Sequence, residues 1–167
     1  MTKVTFEIYV VTGDDLKELS EESIRLNLEN YRDLLVRQGV LQGALLIEVP
    51  GQATVRVMDE LAASVQGLCF APAVALLEEE RECYVYRYMS TDAHLVMLRL
   101  ADLVRLIGEY TPAVTEEMQS LLPALFDCGV RFLEFLGRLG DRANATAQYL
   151  QPSADRARNV LQLHAML

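Results

Sequence analysis

The chain has 167 residues, 51% of them hydrophobic and 23% charged, enough to bury a sizeable core, and it reads as a single globular domain over 1–167. A formal net charge of −9 repels phosphate backbones, which argues against nucleic acid as a ligand and favours a basic protein partner. Three widely spaced cysteines, Cys69, Cys83 and Cys128, each lie in an apolar run and read as free thiols in a reducing cytoplasm.

Residues 3–11 alternate, with Val4, Phe6, Ile8 and Val10 on one side. They predict a half-buried strand, ended by the turn Thr12-Gly13-Asp14-Asp15. An alternating start is not an apolar leader, so a soluble, cytoplasmic chain is expected. Residues 20–38 carry two patterns. Ile24, Leu26 and Leu28 alternate as in a strand, whereas Leu28, Tyr31, Leu34 and Leu35 recur at helical spacing; the reading is a strand running into a short helix. Gly39 and Gly43 bracket a loop, 44–49 is a short strand stopped by Pro50-Gly51, and 55–57 is another. Asp59 is then placed to cap a helix over 59–77. Pro72 is expected to break or kink it near Phe70-Ala71, because proline has no amide for the preceding turn. The apolar run 68–77 spans about half a membrane, so none is expected to be crossed. The helix runs out into Glu78-Glu79-Glu80, where the helix macrodipole disfavours acids.

Residues 82–110 read as a three-stranded meander, CYVYRYM, HLVMLRL and VRLIGEY, with turns over 90–93 and at Ala101-Asp102. A two-residue turn at Thr91-Asp92 would set Tyr88 opposite Leu95, Tyr86 opposite Met97 and Tyr84 opposite Arg99. Pro112 closes that sheet. The longest clean helical pattern follows at 121–139, where Asp127, Arg131, Glu134 and Arg138 form one narrow polar stripe on an otherwise apolar cylinder. Such a helix must be covered on more than one side. The tail, 141–167, is weakly helical, with its last helix starting at Pro152-Ser153. The expected fold is α+β, an antiparallel sheet (a meander around 82–110) with helices packed on one face.

The two histidines, His94 and His164, fall in no metal-ligand spacing, and no GxSxG, GxxxxGK[ST] or GxGxxG motif occurs. No metal, cofactor or catalytic residue is therefore expected. Two other constellations stand out. Acids cluster at Asp14, Asp15, Glu18, Glu21 and Glu22, and again at Glu78, Glu79, Glu80 and Glu82. Directly after the second cluster, Tyr84, Tyr86 and Tyr88 share one side of a strand; they are either an interface or the covered side of the sheet. Aromatic anchors beside acids suit a binder of a cationic surface. The candidate partner-binding residues are thus Glu78, Glu79, Glu80, Glu82, Tyr84, Tyr86 and Tyr88.

The Asp-Glu-Leu helix start at 59–61, Leu68-Cys69-Phe70, the meander, Leu-Leu-Pro-Ala-Leu at 121–125, Cys128-Gly129 and Arg131-Phe132-Leu133 together carry a resemblance. Over roughly residues 55–139 the chain resembles the immunity proteins of bacterial polymorphic toxin systems. The resemblance implies a non-enzymatic protein that binds one cognate toxin and occludes its active site. No binding residue carries over from it, because such interfaces differ between pairs. An acidic plug would suit a basic toxin cleft, and charge complementarity would speed capture. Two other readings stay open: a chaperone or adaptor for a secreted effector, and an enzyme with a carboxylate site centred on Glu60, the acid that begins an otherwise apolar helix.

Overall fold

The computed structural model describes residues 1–167, all with their side chains except Arg142. Its elements run β1 (Lys3–Thr12), β2 (Asp15–Ser20), α1 (Glu21–Gln38), β3 (Gln42–Glu48), β4 (Val55–Glu60), α2 (Leu61–Glu78), β5 (Cys83–Arg87), β6 (His94–Leu100), β7 (Leu103–Gly108), β8 (Val114–Glu117), α3 (Met118–Leu139) and α4 (Asp141–Leu163). The fold is α+β, with two antiparallel sheets in place of the one expected: β2-β1-β3-β4 and β5-β6-β7-β8.

Helix α3 is the hub. It touches β1 of the first sheet, β7 and β8 of the second, and the other three helices. Eleven of its residues are buried, among them Leu121, Leu125, Cys128, Phe132 and Leu136, as its nearly all-round apolar pattern requires. Its polar stripe reaches α1 through Arg131, which pairs with Glu21 at 2.5 Å and with Asp127, and donates to the Val4 carbonyl at 2.6 Å. Phe6 of β1 meets Phe132 edge-on, with ring centroids 5.4 Å apart.

Several elements depart from the sequence reading. Residues 21–38 form a helix kinked at Asn27, whose backbone leaves the helical region (φ −124°, ψ 25°), and the strand is a separate one before them, β2. Ser20 caps this helix by accepting from the Ser23 amide at 3.2 Å, and Glu21 and Glu22 occupy its first turn, where acids are favoured. Ile24, Leu28 and Leu35 are the residues it buries. Helix α2 is not broken at Pro72. It stays helical, wound as wide π turns over Val65–Phe70 and Val74–Glu78 on either side of the proline; wide turns absorb a missing backbone bond at the cost of local geometry. The helix is apolar and long enough to span a bilayer, and 67% of it is buried inside the protein.

Helix α4 likewise runs through Pro152 without a break. A proline inside a helix costs about 3 kcal/mol, but burying each Leu or Val contributes about 1.5–3 kcal/mol. Leu150, Val160 and Leu161 are all buried, so packing on α2 and α3 decides the outcome. Beyond Pro112 the second sheet does not close but gains a fourth strand, β8. Its outer edge is occupied by a side chain: Gln52 donates to the Thr115 carbonyl at 2.6 Å and accepts from the Thr115 amide at 2.9 Å.

Candidate functional site

The meander delivers the predicted tyrosines, but in a shifted register. Tyr86 lies opposite Leu95 and Tyr84 opposite Met97, two residues away from the pairing expected of a two-residue turn. The turn is longer because its amides are held from outside the hairpin. Asp59, at the end of β4, accepts from the Met89 amide at 2.7 Å and from the Ser90 amide at 3.1 Å. A slip of two preserves parity, so Tyr84, Tyr86 and Tyr88 still share a face.

That face turns inward over α2. A Cβ on Gly67 would lie 2.5 Å from the Tyr86 ring, so only glycine lets the strand approach this closely. Tyr86 is 5% exposed, and Tyr84 and Tyr88 are half-buried against the core. Tyr86 therefore belongs to the covered side of the sheet, and its surface role is corrected. Its hydroxyl donates to Asp59 at 2.7 Å and sits 3.2 Å from the Ser64 hydroxyl. One phenolic proton cannot serve both, so Ser64 donates to Tyr86.

Asp59, expected as a helix cap, is instead this cluster's acceptor. The N-cap of α2 is Glu60, which makes no side-chain capping bond. Burial pushes the Asp59 pKa up, but bonds from Tyr86, from the amides of Met89 and Glu60 and from the Ser90 side chain outweigh it and hold the carboxyl below its ordinary value. Burial raises the Tyr86 phenol well above its ordinary range, and the neighbouring Asp59 charge adds to this even though Ser64 opposes it. The trio has the hydrogen bonds of a proton relay, but Asp59 and Ser64 are 3% and 1% exposed. It is a polar bolt between the two sheets.

The acidic candidates lie on the surface where α2 runs into β5. Glu78, Glu79, Glu80 and Glu82 are all exposed, and their charges are not equally free. Arg156 of α4 pairs with Glu78 at 3.0 Å and Glu79 at 3.6 Å, and Arg81 pairs with Glu79 at 2.7 Å. Among the described residues Glu80 and Glu82 have no cationic partner. A groove of about 250 Å³ runs beside this ridge, with Phe70, Ala71, Val74 and Tyr84 below and Glu79 and Arg156 at its rim. The structure thus gathers Glu79 and Tyr84 at one groove, leaves Glu80 and Glu82 exposed outside its lining, and withdraws Tyr86.

The residues missed by sequence reasoning are those between the tyrosines. Val85, Val96 and Ile107 are paired across β5, β6 and β7 on the outward face, with Leu100 and Leu103 at its far end. Val85, Leu100, Leu103 and Ile107 are each 40–45% exposed, and only the row of Leu98 and exposed Arg105 separates the two groups; exposed apolar area of this kind marks interaction sites. The signal was present in the sequence. These strands are apolar at both parities, which requires either cover on two faces or an exposed patch.

Elsewhere the chemistry is sparse. Glu60 lines a cavity of about 110 Å³ among Leu35, Leu41, Phe132, Leu136 and Ala143, the one titratable group in it among the described residues, so no second acid or base stands ready there. A larger cleft, about 880 Å³, opens beside Glu21, Arg25, Asp127 and Arg131, and its Arg131 is already neutralised by the two carboxylates. Among the described residues no three His, Cys, Asp or Glu side chains are placed to hold a metal ion. Compared with protein-family models, curated proteins and solved structures, the chain matches nothing.

Proposed function

We propose that this chain is a stoichiometric, non-enzymatic protein-binding module that acts in the cytoplasm as an immunity-type inhibitor. It occludes a basic toxin through the margin formed by the acidic ridge, the groove and β5. The observation that carries the reading is that Glu80 and Glu82 are exposed and unpaired beside an exposed apolar surface. Unpaired surface acids steer a cationic partner, and an adjoining apolar patch then supplies the contact that persists. The test is native co-purification of the tagged chain from its host, followed by washes at low and high salt. A basic, near-stoichiometric partner is expected, released at high salt and retained less well by Glu80→Gln/Glu82→Gln. Binding indifferent to both salt and this double substitution would exclude the charge-steered reading.

The outward face of the second sheet favours a second reading, a chaperone or adaptor that covers an apolar segment of a secreted effector. Apolar contact does not weaken with screening. A client that survives the high-salt wash and is lost on Val96→Lys would select this alternative.

A further inference from the structure

We infer that β5 is a docking strand, and that the partner contributes an extended segment which adds to this edge antiparallel or parallel, with a lysine or arginine beside Glu80 and Glu82. This deepens the binding-module reading above and rests on it. The first observation is the direction of the backbone. Tyr88 donates its amide to Ala93 at 3.1 Å, and Glu82 accepts from the Arg99 amide at 2.8 Å. In an antiparallel ladder of this register, every even-numbered residue of β5 then bonds inward to β6. The amides and carbonyls of Cys83, Val85 and Arg87 point away from the sheet, and β5 is its terminal strand. Among the described residues no other group bonds to them.

The second observation is how the other edges are treated. At β8 the Gln52 amide takes both backbone groups of Thr115, standing in for a neighbouring strand. Strand β2 presents Lys17 and Glu18, and β4 presents Arg56 and Glu60, charges of the kind that discourage pairing. The β5 edge has one charge, Arg87, at its far end and an exposed valine, Val85, at its centre; β2 and β4 also expose Leu16 and Met58, but between charged neighbours.

The third observation is the groove. An added strand would alternate its side chains, one set beside Val85 on the outward face and the other over Tyr84 and Val74. Charge fixes the remaining choice. Glu79 is already paired with arginine, whereas Glu80 and Glu82 are not, so the segment must bring a cation to that end. Main-chain bonds would supply affinity, and the groove and the two acids specificity.

The test uses a fluorescently labelled seven-residue peptide, Lys-Thr-Val-Thr-Val-Thr-Lys, read by anisotropy against the full chain. Two further versions carry N-methyl groups on alternate residues, one version for each edge of the peptide. Saturable binding is expected from the parent, with one methylated version failing and the other retained. Val85→Pro removes an outward amide while leaving the β5–β6 bonds in place, and should weaken the parent about tenfold. Glu80→Gln/Glu82→Gln should weaken it about threefold at low salt. No saturable binding, or equal binding of both methylated versions, overturns the proposal without requiring any protein variant to fold. The two levels of inference fail separately. A natural partner held equally well by Val85→Pro keeps the binding module and removes strand addition. Peptide binding with no basic partner in the host keeps the docking strand and removes the immunity reading.

Discussion

The two sheets are built alike, four antiparallel strands with one buried face each, and they differ in what their outer faces do. In the first sheet that face is bridged by a charged network, with Val11, Leu16 and Met58 exposed around it. Arg56 of β4 reaches across β3 to Glu7 at 2.8 Å, to Glu18 at 3.0 Å and to the Tyr9 hydroxyl at 2.9 Å. Its guanidinium also lies 5.9 Å from the Tyr9 ring centre. Bonds to Glu18 and Tyr9 keep it protonated beyond its ordinary range, and the Ala44 beneath is wholly buried. In the second sheet Val85, Val96 and Ile107 form a row across that face, flanked by exposed Arg105 on one side and by Arg87 and the His94–Glu109 pair, 3.1 Å apart, on the other. A face that leaves apolar area in water gains free energy when something covers it. The contrast is between a face bridged by charge and a face with an apolar row at its centre.

The bolt joining the sheets offers the strongest way to break this picture. Asp59→Ala leaves the Tyr86 hydroxyl and the Met89 and Ser90 amides without their acceptor, and should cost about 3 kcal/mol, read from urea unfolding. Amide exchange should accelerate in the β5–β6 hairpin before it does in β1 and β3. Uniform acceleration would mean that the sheets do not open separately. The carboxylate also predicts a pH dependence. Because its folded pKa is depressed, its stabilisation is complete above the unfolded value of about 3.9 and declines as pH falls through the folded value. Asp59→Asn should therefore flatten the acid limb of the stability profile below about pH 4, whereas the wild-type chain loses stability there. An unchanged acid limb would remove Asp59 as its source.

Arg56 tests the charged network on the first sheet. Arg56→Met keeps much of the aliphatic stem over Ala44 while releasing Glu7, Glu18 and Tyr9 from their shared donor. A loss of about 1 kcal/mol is expected, at the upper end for a surface network, and smaller at high salt. Partner binding should remain within about twofold, since a contact worth under 0.5 kcal/mol is all that would be disturbed. A large loss of binding would move the interface to the first sheet and reverse the assignment.

Legibility in the sequence followed the length and regularity of each pattern. Helix α3 was readable because a polar stripe repeats through about three turns of an otherwise apolar segment, β1 because its alternation is clean, and β6 and β7 because short apolar runs are bounded by turn residues. Helix α1 was misread through Leu26, which completes a false alternation with Ile24 and Leu28 yet is 69% exposed. Strand β8 is four residues long and β2 buries only Leu19, so neither carries a usable period. The hairpin register depended on Asp59, some thirty residues upstream, and no local turn rule contains such a partner. The same holds at the candidate site. The parity of the tyrosines was legible, but which side they faced was set by Gly67 on another element, and the pairing of Glu78 and Glu79 by Arg156 on α4.

The smallest expected effect is the most discriminating. Val96 sits at the centre of the outward face of the second sheet, between Val85 and Ile107. Its replacement by lysine removes a methyl-bearing surface from a partly exposed position and adds a charge that water can reach. If the face is free, Val96→Lys changes stability by no more than about 0.5 kcal/mol, and the long stem lies along its neighbours. A loss of about 2 kcal/mol or more would be the cost of forcing a charge under cover, and the face would then be buried in the isolated chain by self-association. Sedimentation of the same variant separates the cases. A wild-type monomer with a stable Val96→Lys variant leaves the surface for a partner. A wild-type oligomer dissociated by that lysine would show that the apolar sheet is occupied already, and that recognition falls to the acidic ridge and β5 alone.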